Sequence, residues 1–344
     1  MTVTRADVAA AAGVSSAVVS YVVNDGPRPV SPETRARVLT AIDELGYRPN
    51  RIASALRRGR SRMVGLVTES PTNPYVAELA ESFGASFMER DLTLVMGFSN
   101  NSPDREAAFI RSLVDHRVDG IITATGNLRP EILESLDGVP LVAVDRVPAH
   151  EHRLAGSVAL DNAHAAHLAV DHLLEHGHTI VACVGGPWQA PLTEERVAGW
   201  ASAIAQSGAA VDQSLIERAE FSVQGGYAAA MALLGPMPRR HGNSAPPTAL
   251  FVSSDVQAIG VLQACSELGI RVPGDLAIVS IDGTDMALRT SPTLTSVRQP
   301  LAEITDLAVD ILNDAVVHAG HASRHEVLRG NLVIGRSCGC GLAR

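Results

Sequence analysis

Lysine is absent from all 344 residues, so the 28 basic side chains are all arginines. That rules out a GxxxxGK[ST] phosphate loop and makes every basic contact a guanidinium, able to hold phosphate oxygens in bidentate fashion. Aromatics are also scarce, at 3% of a chain that is 46% apolar, so aliphatic packing must build the cores. The four cysteines, Cys183, Cys265, Cys338 and Cys340, form no disulfide framework. No apolar run approaches the ~18–20 residues of a membrane helix. The N-terminus shows no basic-then-apolar signal, and a cytoplasmic protein is expected. No GxGxxG follows a strand and no GxSxG elbow is present, which removes the usual nucleotide-enzyme and serine-hydrolase signatures. His172 and His176 share i,i+4 spacing without the glutamate of H-E-x-x-H, and His176-Gly177-His178 reads as a helix C-terminus, where His is electrostatically favoured. Cys338-Gly339-Cys340 is a weak soft-metal signal and reads as reduced thiols. We therefore expect no enzyme, no cofactor and no metal.

What is present is unevenly placed. The net charge is −9, yet residues 1–60 carry nine Arg against five acidic residues, or +4. The remainder holds 19 of the basic and 32 of the acidic residues, or −13. A basic module on an acidic body suits a protein that touches a polyanion at one end only. That module opens with Val3–Asn24, VTRADVAAAAGVSSAVVSYVVN, which reads as two short helices broken at Gly13. Thr4 and Asp7 form a capping pair, and Val8, Ala9 and Ala12 give an inward stripe. Gly13 supplies a left-handed turn and Ser15 caps the second helix, which turns Val19, Val22 and Val23 inward. Ser16, Ala17, Ser20 and Tyr21 remain near its exposed N-terminal part. This is the helix-turn-helix pattern, although an ordinary two-helix corner would look similar. A third helix starts at Ser31-Pro32, buries Val38, Leu39, Ile42 and Leu45, and ends at Gly46. The Arg-flanked segment that follows, RIASALRRGRSR, is either a solvated linker or a helix that forms when DNA neutralises its arginines.

From Met63 the rhythm changes. Strand candidates are Met63–Val67, Leu92–Phe98, Gly120–Thr123, Leu141–Asp145, Val158–Leu160, Ile180–Gly185, Ala249–Ser253 and Leu276–Ile281. Helix-length segments such as Val76–Arg90, Asp104–His116, Ala163–His176 and Glu194–Ser207 lie between them. This is the βαβ alternation of doubly wound parallel sheets, in enough strands for two of them, with ligands expected beyond the carboxyl ends of strands. Polar residues stand at those places: Asn73 and Tyr75, Asp145-Arg146, Ser254-Asp255 and Asp282-Gly283, with Arg196 after a Gly185-Gly186 turn. Carboxylates beside an arginine suit a polyhydroxylated ligand, whereas loop capping and inter-domain ion pairs explain such residues equally well one at a time.

These features together resemble the LacI/GalR family of transcriptional regulators. The resemblance is carried by D-V-A-x-x-A-G-V-S (Asp7–Ser15), V-S-x-V-x-N (Val19–Asn24), G-Y-x-P-N-x-x-A-x-x-L (Gly46–Leu56) and N-P-Y (Asn73–Tyr75). It continues through V-D-G-I-I (Val118–Ile122), D-N (Asp161-Asn162), H-L-x-x-x-G-H (His172–His178), R-x-x-G (Arg196–Gly199), D-x-x-A-x-G (Asp255–Gly260), V-P-x-D (Val272–Asp275) and V-x-Q-P (Val297–Pro300). It implies an α/β chain with an all-α helix-turn-helix domain at 1–48, a hinge at 49–62, and a periplasmic-binding-protein-like core at 63–344. The core would consist of two doubly wound subdomains, about 63–157 plus 290–322 and about 158–289 plus 323–344, the region near Thr295–Gln299 returning the chain to the first.

The resemblance further implies a homodimeric repressor of carbohydrate genes reading a pseudo-palindromic operator. DNA would be met by Thr4, Ser15, Ser16, Ala17, Ser20, Tyr21, Asn24, Tyr47 and Asn50, with Ala53 and Leu56 in the minor groove. A small effector, a sugar on this reading, would contact Asn73, Tyr75, Asp145, Arg196, Phe221, Asp255 and Asp282, with Trp188 as a stacking wall. The chain departs from the family at Tyr21, where many members have Arg, and at the less polar Ala17 and Val18. Ala190 and Leu192 replace the Arg and Thr of purine-binding members, and no Leu heptads follow the last strand, so a dimer is expected. A sugar-binding sensory module without a DNA role is the alternative, and the Val3–Leu56 module speaks against it.

Overall fold

The computed structural model describes residues 3–24, 28–48, 60–126, 128–145, 153–188, 191–235, 246–318 and 322–340. Contacts divide the chain into two units, Met1–Ser61 and Arg62–Arg344.

The first unit holds α1 (Arg5–Ala12), α2 (Ser16–Asn24) and α3 (Pro32–Leu45). Thr4 and Asp7 form the capping box: the Asp7 carboxylate accepts from Thr4 N at 2.8 Å and from its hydroxyl at 2.7 Å. These bonds hold the exposed Asp7 carboxyl below its usual range, the side-chain bond from Thr4 being the largest cause. Gly13 ends α1 at φ 64°, and α1 and α2 meet at 102°. That corner closes over Val8, Ala9, Ala12, Val19, Val22, Val38 and Ala41. The apolar face expected of α3 is corrected in part. Leu39 and Leu45 are 50% and 37% exposed, and the small Ala41 is buried instead. Three short helices enclose a core too small for every leucine on α3.

The second unit contains two six-stranded sheets. The first is formed by β1 (Met63–Thr68), β2 (Thr93–Phe98), β3 (Gly120–Thr123), β4 (Leu141–Val144), β5 (Gly156–Leu160) and β11 (Arg324–Leu328), in the order β2-β1-β3-β4-β5-β11 and parallel throughout. The second is formed by β6 (Val181–Gly185), β7 (Ile216–Arg218), β8 (Ala249–Val252), β9 (Ala277–Asp282), β10 (Thr295–Arg298) and β12 (Asn331–Val333), in the order β7-β6-β8-β9-β10-β12. Only the β10–β12 pair is antiparallel. Both sheets run second-first-third-fourth-fifth-sixth in order of appearance, which puts a topological switch between β1 and β3 and between β6 and β8. Their central strands are apolar and buried on both faces, as VACVG of β6 and ALFV of β8 require.

Helices α4 (Pro74–Glu89), α5 (Pro103–Asp115) and α6 (Pro130–Glu134) cover the first sheet together with α11 (Leu301–Val317). The second is covered by α7 (Asn162–Glu175), α8 (Pro191–Gln206), α9 (Val223–Leu234) and α10 (Asp255–Leu268). Two motif glycines are explained by helix packing. A Cβ on Gly260 would lie 1.9 Å from the Val223 carbonyl oxygen of α9, and one on Gly199 would lie 2.2 Å from the Ala163 carbonyl oxygen of α7.

Sheet membership corrects the expected crossovers. β5 completes the first sheet to Leu160, so the chain leaves at Asp161, which caps α7. The Thr295–Gln299 region does not return the chain to the first subdomain, because β10 pairs with β9 in the second sheet. Ser296 Oγ donates to Asp255 at 2.7 Å and Thr295 N to Ser337 Oγ at 2.9 Å, bonds that hold β10 there. The return is made by α11 and β11, and β12 carries the chain back again.

Candidate functional site

On the helix-turn-helix, Ser15, Ser16 and Ala17 are exposed, while Ser20 and Tyr21 are half-buried. Ser15 Oγ accepts from Val18 N at 3.3 Å and caps α2. Thr4 is exposed, with its hydroxyl engaged in the capping box. Tyr47 packs on the three-helix core, its N–H closing the α3 cap on Ile42 O at 3.0 Å. The Asn24 side chain, Asn50, Ala53 and Leu56 lie outside the described residues.

The second constellation lies at the carboxyl ends of strands in both subdomains. Asn73 caps α4 by accepting from Tyr75 N at 3.1 Å, and Tyr75 packs into the first subdomain's core at 4% exposure. Tyr75 OH donates to Gln299 Oε1 at 3.2 Å, and Gln299 Nε2 donates to Asp282 Oδ1 at 3.0 Å. Arg196 Nη1 lies 3.8 Å from the same Asp282 oxygen and donates to the Ser253 carbonyl at 2.5 Å, while its Nε donates to Asn162 Oδ1 at 2.8 Å. The chain Tyr75–Gln299–Asp282–Arg196–Asn162 thus links the first subdomain to the second. Asp285 N adds a bond to Glu78 Oε1 of α4 at 2.7 Å. Asp145 ends β4 beside the Tyr75 hydroxyl. It and Asp282 both hold positive φ, 62° and 117°, the latter outside the left-handed region that aspartate commonly visits.

The electrostatics are dominated by burial. Desolvation, reinforced by the Asp255 and Asp145 charges, pushes the Asp282 carboxyl up to about 8, even though Arg196 opposes the shift. The Tyr75 phenol is raised for the same first reason, then by Asp145 and Asp282. Asp282 therefore faces the Arg196 guanidinium in a place where its charged form is penalised. Hydroxyl donors from a ligand would favour ionised Asp282.

Asp255 is placed differently from the sequence expectation. Its carboxylate is fully buried and accepts from Ser280 Oγ, Ser296 Oγ, Thr284 N and Thr284 Oγ1 at 2.6–2.9 Å. Four protein donors fill its acceptor capacity, so it braces β9, β10 and the loop after β9. Trp188 is 71% exposed, with the Arg218 guanidinium 4.4 Å from its ring centroid. Phe221 closes over Gly186, where a Cβ would meet its ring at 2.3 Å. Leu192 is buried, and Ala190 lies outside the described residues.

Several participants escaped sequence reasoning. Gln299 sat in V-x-Q-P and Asn162 in D-N, motifs that signalled family without role. Thr193 Oγ1, Ser253 Oγ and the Arg218 Nε and Nη1 atoms are buried without a hydrogen-bond partner among the described residues, polar atoms of the kind a hydroxylated ligand pairs with.

The chain matches the family model for bacterial regulatory proteins of the lacI family over residues 4–50 and that for a periplasmic binding protein-like domain over residues 170–338. Catabolite control protein A of Priestia megaterium is 34% identical over 313 residues, covering 91% of this chain and 92% of its own. The chain belongs to the LacI family. Another relative, the HTH-type transcriptional repressor PurR of Proteus mirabilis (strain HI4320), is 32% identical, covering 97% of this chain and 96% of its own. A lac repressor dimer bound to operator and the anti-inducer ONPF superposes with a TM-score of 0.82 at 26% identity, covering 98% of this chain and 99% of its own. The transcriptional regulator CelR in complex with cellobiose gives 0.70 at 29%, covering 97% and 99%. As a LacI-family member this chain is a DNA-binding transcriptional regulator and not an enzyme, with the helix-turn-helix as its DNA module. Among the described residues, no single helix is long and apolar enough to cross a membrane.

Proposed function

We propose that this regulator is a cytoplasmic, homodimeric repressor of carbohydrate uptake or catabolism genes, released from or recruited to a pseudo-palindromic operator by a small sugar held between the core subdomains. The observation that carries the reading is the polar chain Tyr75–Gln299–Asp282–Arg196, two hydrogen bonds and a 3.8 Å ion pair, which spans the two subdomains through groups that hydroxyls can replace. A ligand that exchanges these partners changes the relative angle of the subdomains, and so the population able to bind DNA. A sugar is favoured by carboxylates beside a guanidinium, by buried hydroxyls of Thr193 and Ser253, and by the broad exposed face of Trp188. The cellobiose complex of the CelR relative and the dimeric lac repressor assembly support the sugar and the dimer by analogy.

On the DNA side we propose Ser15, Ser16, Ala17, Ser20 and Tyr21 for the major groove and Asn50, Ala53 and Leu56 for the hinge contact. None of the α2 residues makes a bidentate fork to guanine, so deformability of the operator carries part of the specificity. The test is a thermal-shift screen of sugars, nucleosides and amino acids on the full chain. A sugar should raise the melting temperature of the wild type and fail to do so in Arg196→Ala. A nucleoside or amino acid as the sole stabiliser would refute the carbohydrate assignment.

A further inference from the structure

The C-terminal end of α7 and the last described turn of the chain bring together two imidazoles and two thiols that neither DNA nor effector binding uses. His172 and His176, four residues apart, project from one face of the helix end, with ring centroids 4.4 Å apart. Gly339, at φ 87°, turns the chain back so that Cys340 Sγ lies 3.4 Å from His172 Nε2 and 3.1 Å from His176 Nε2. Cys338, two residues before Cys340, is 3% exposed and its sulfur accepts from Thr295 Oγ1 at 3.0 Å. Its neighbour Ser337 donates to Ile278 O at 2.6 Å and fixes this turn to β9.

The ring orientation is set from outside the cluster. His176 Nδ1 lies 2.7 Å from the His172 carbonyl oxygen, which can only accept, so the proton sits on Nδ1 and the Nε2 lone pair points at sulfur. A backbone carbonyl on the far nitrogen is the usual partner of a metal-ligating histidine. Bond lengths of about 2.3 Å to sulfur and about 2.0–2.1 Å to nitrogen give a tetrahedral S···N edge of about 3.5 Å. The observed 3.1 and 3.4 Å need open by only a few tenths of an ångström. His172, His176 and Cys340 already hold their ligand atoms within 4.8 Å of one another. A cation here would also face the negative end of α7.

We propose that His172, His176 and Cys340 hold a divalent transition metal of the zinc class, with Cys338, two residues from Cys340, moving in to complete a tetrahedron. Two sulfurs and two imidazoles select against calcium and magnesium, which require oxygen ligands. The metal would staple residues 338–340 to α7. The other end of that 14-residue helix carries Asn162, the partner of Arg196, about 20 Å away. The effector cleft is therefore separate from the site.

The test uses the full chain, reduced, stripped with a chelator and titrated with Co2+ as the spectroscopic probe. One equivalent should give the visible bands of tetrahedral cobalt and thiolate charge transfer, both abolished by Zn2+, and Zn2+ should raise the melting temperature. His176→Gln and Cys340→Ser should each weaken Co2+ binding by more than about tenfold while keeping native circular dichroism and any effector-induced thermal shift. Cobalt that stays octahedral, a wild type that retains no zinc after gel filtration, or a Cys338–Cys340 disulfide in the freshly purified protein would overturn the proposal.

Discussion

Asp282 offers a perturbation whose size follows from its surroundings. Its side chain is 5% exposed, and burial raises its carboxyl to about 8, against about 3.9 in an unfolded chain. Between those values the folded state holds a proton that the unfolded state has lost, so stability falls as pH rises. From pH 6 to pH 8 the loss integrates to about 2 kcal/mol. It saturates above pH 8 and is absent below pH 4. The assay is urea unfolding of the full chain followed by tryptophan fluorescence. Trp188 and Trp200 both lie in the second subdomain with Asp282, and Trp200 is buried with its indole N–H on Val181 O at 3.0 Å. With an m-value of about 2 kcal/mol/M, the wild-type midpoint should drop by about 1 M over that range. Asp282→Asn keeps the shape and removes the titration, so its midpoint should vary far less, whatever its absolute stability. Raised carboxyls at Glu106 and Glu78, which do not feel the Asp282 charge, persist in the variant and cancel in the comparison. Parallel profiles for the two proteins would refute the claim that Asp282 is the group buried protonated.

Operator affinity measured by anisotropy should fall steeply with salt, with a log–log slope steeper than about −4, because each arginine–phosphate contact contributes about −0.9; a slope shallower than about −1 would remove the arginines of residues 1–60 from the interface. Gly260→Ala should destabilise the second subdomain by more than about 3 kcal/mol, because the new Cβ meets backbone of α9 that cannot rotate away; an unchanged urea midpoint would show that α9 and α10 pack less closely than described.

The doubly wound architecture was legible because parallel strands covered on both faces must be apolar throughout, as ALFV of β8 and LVAV of β4 are. The helix-turn-helix was legible because caps are local: Thr4, Asp7, Gly13 and Ser31 act within four residues of themselves. Partner choice across the sheets was not local. Nothing in TSVR assigns β10 to one sheet or the other; Asp255 and Ser337, each about 40 residues away, decide it. For the same reason a lone carboxylate reads alike whether it faces a ligand, as Asp282 does on our proposal, or braces loops, as Asp255 does. Gln299 hid because a glutamine after a strand has no signature until Tyr75, 224 residues earlier, is brought to it. The His–Cys cluster was missed because its two halves are more than 160 residues apart, each weak alone.

The central claim is that occupancy of the cleft at Tyr75, Arg196 and Asp282 controls DNA binding by the helix-turn-helix. The most direct measurement is the affinity of the full chain for a selected palindromic duplex, with and without the sugar found by thermal shift, in the wild type and in Arg196→Ala. The account predicts a change of about 5- to 150-fold in the wild type, and a variant that binds the duplex equally well without sugar and does not respond to it. A variant that keeps the full sugar response would contradict the account and place the controlling ligand elsewhere.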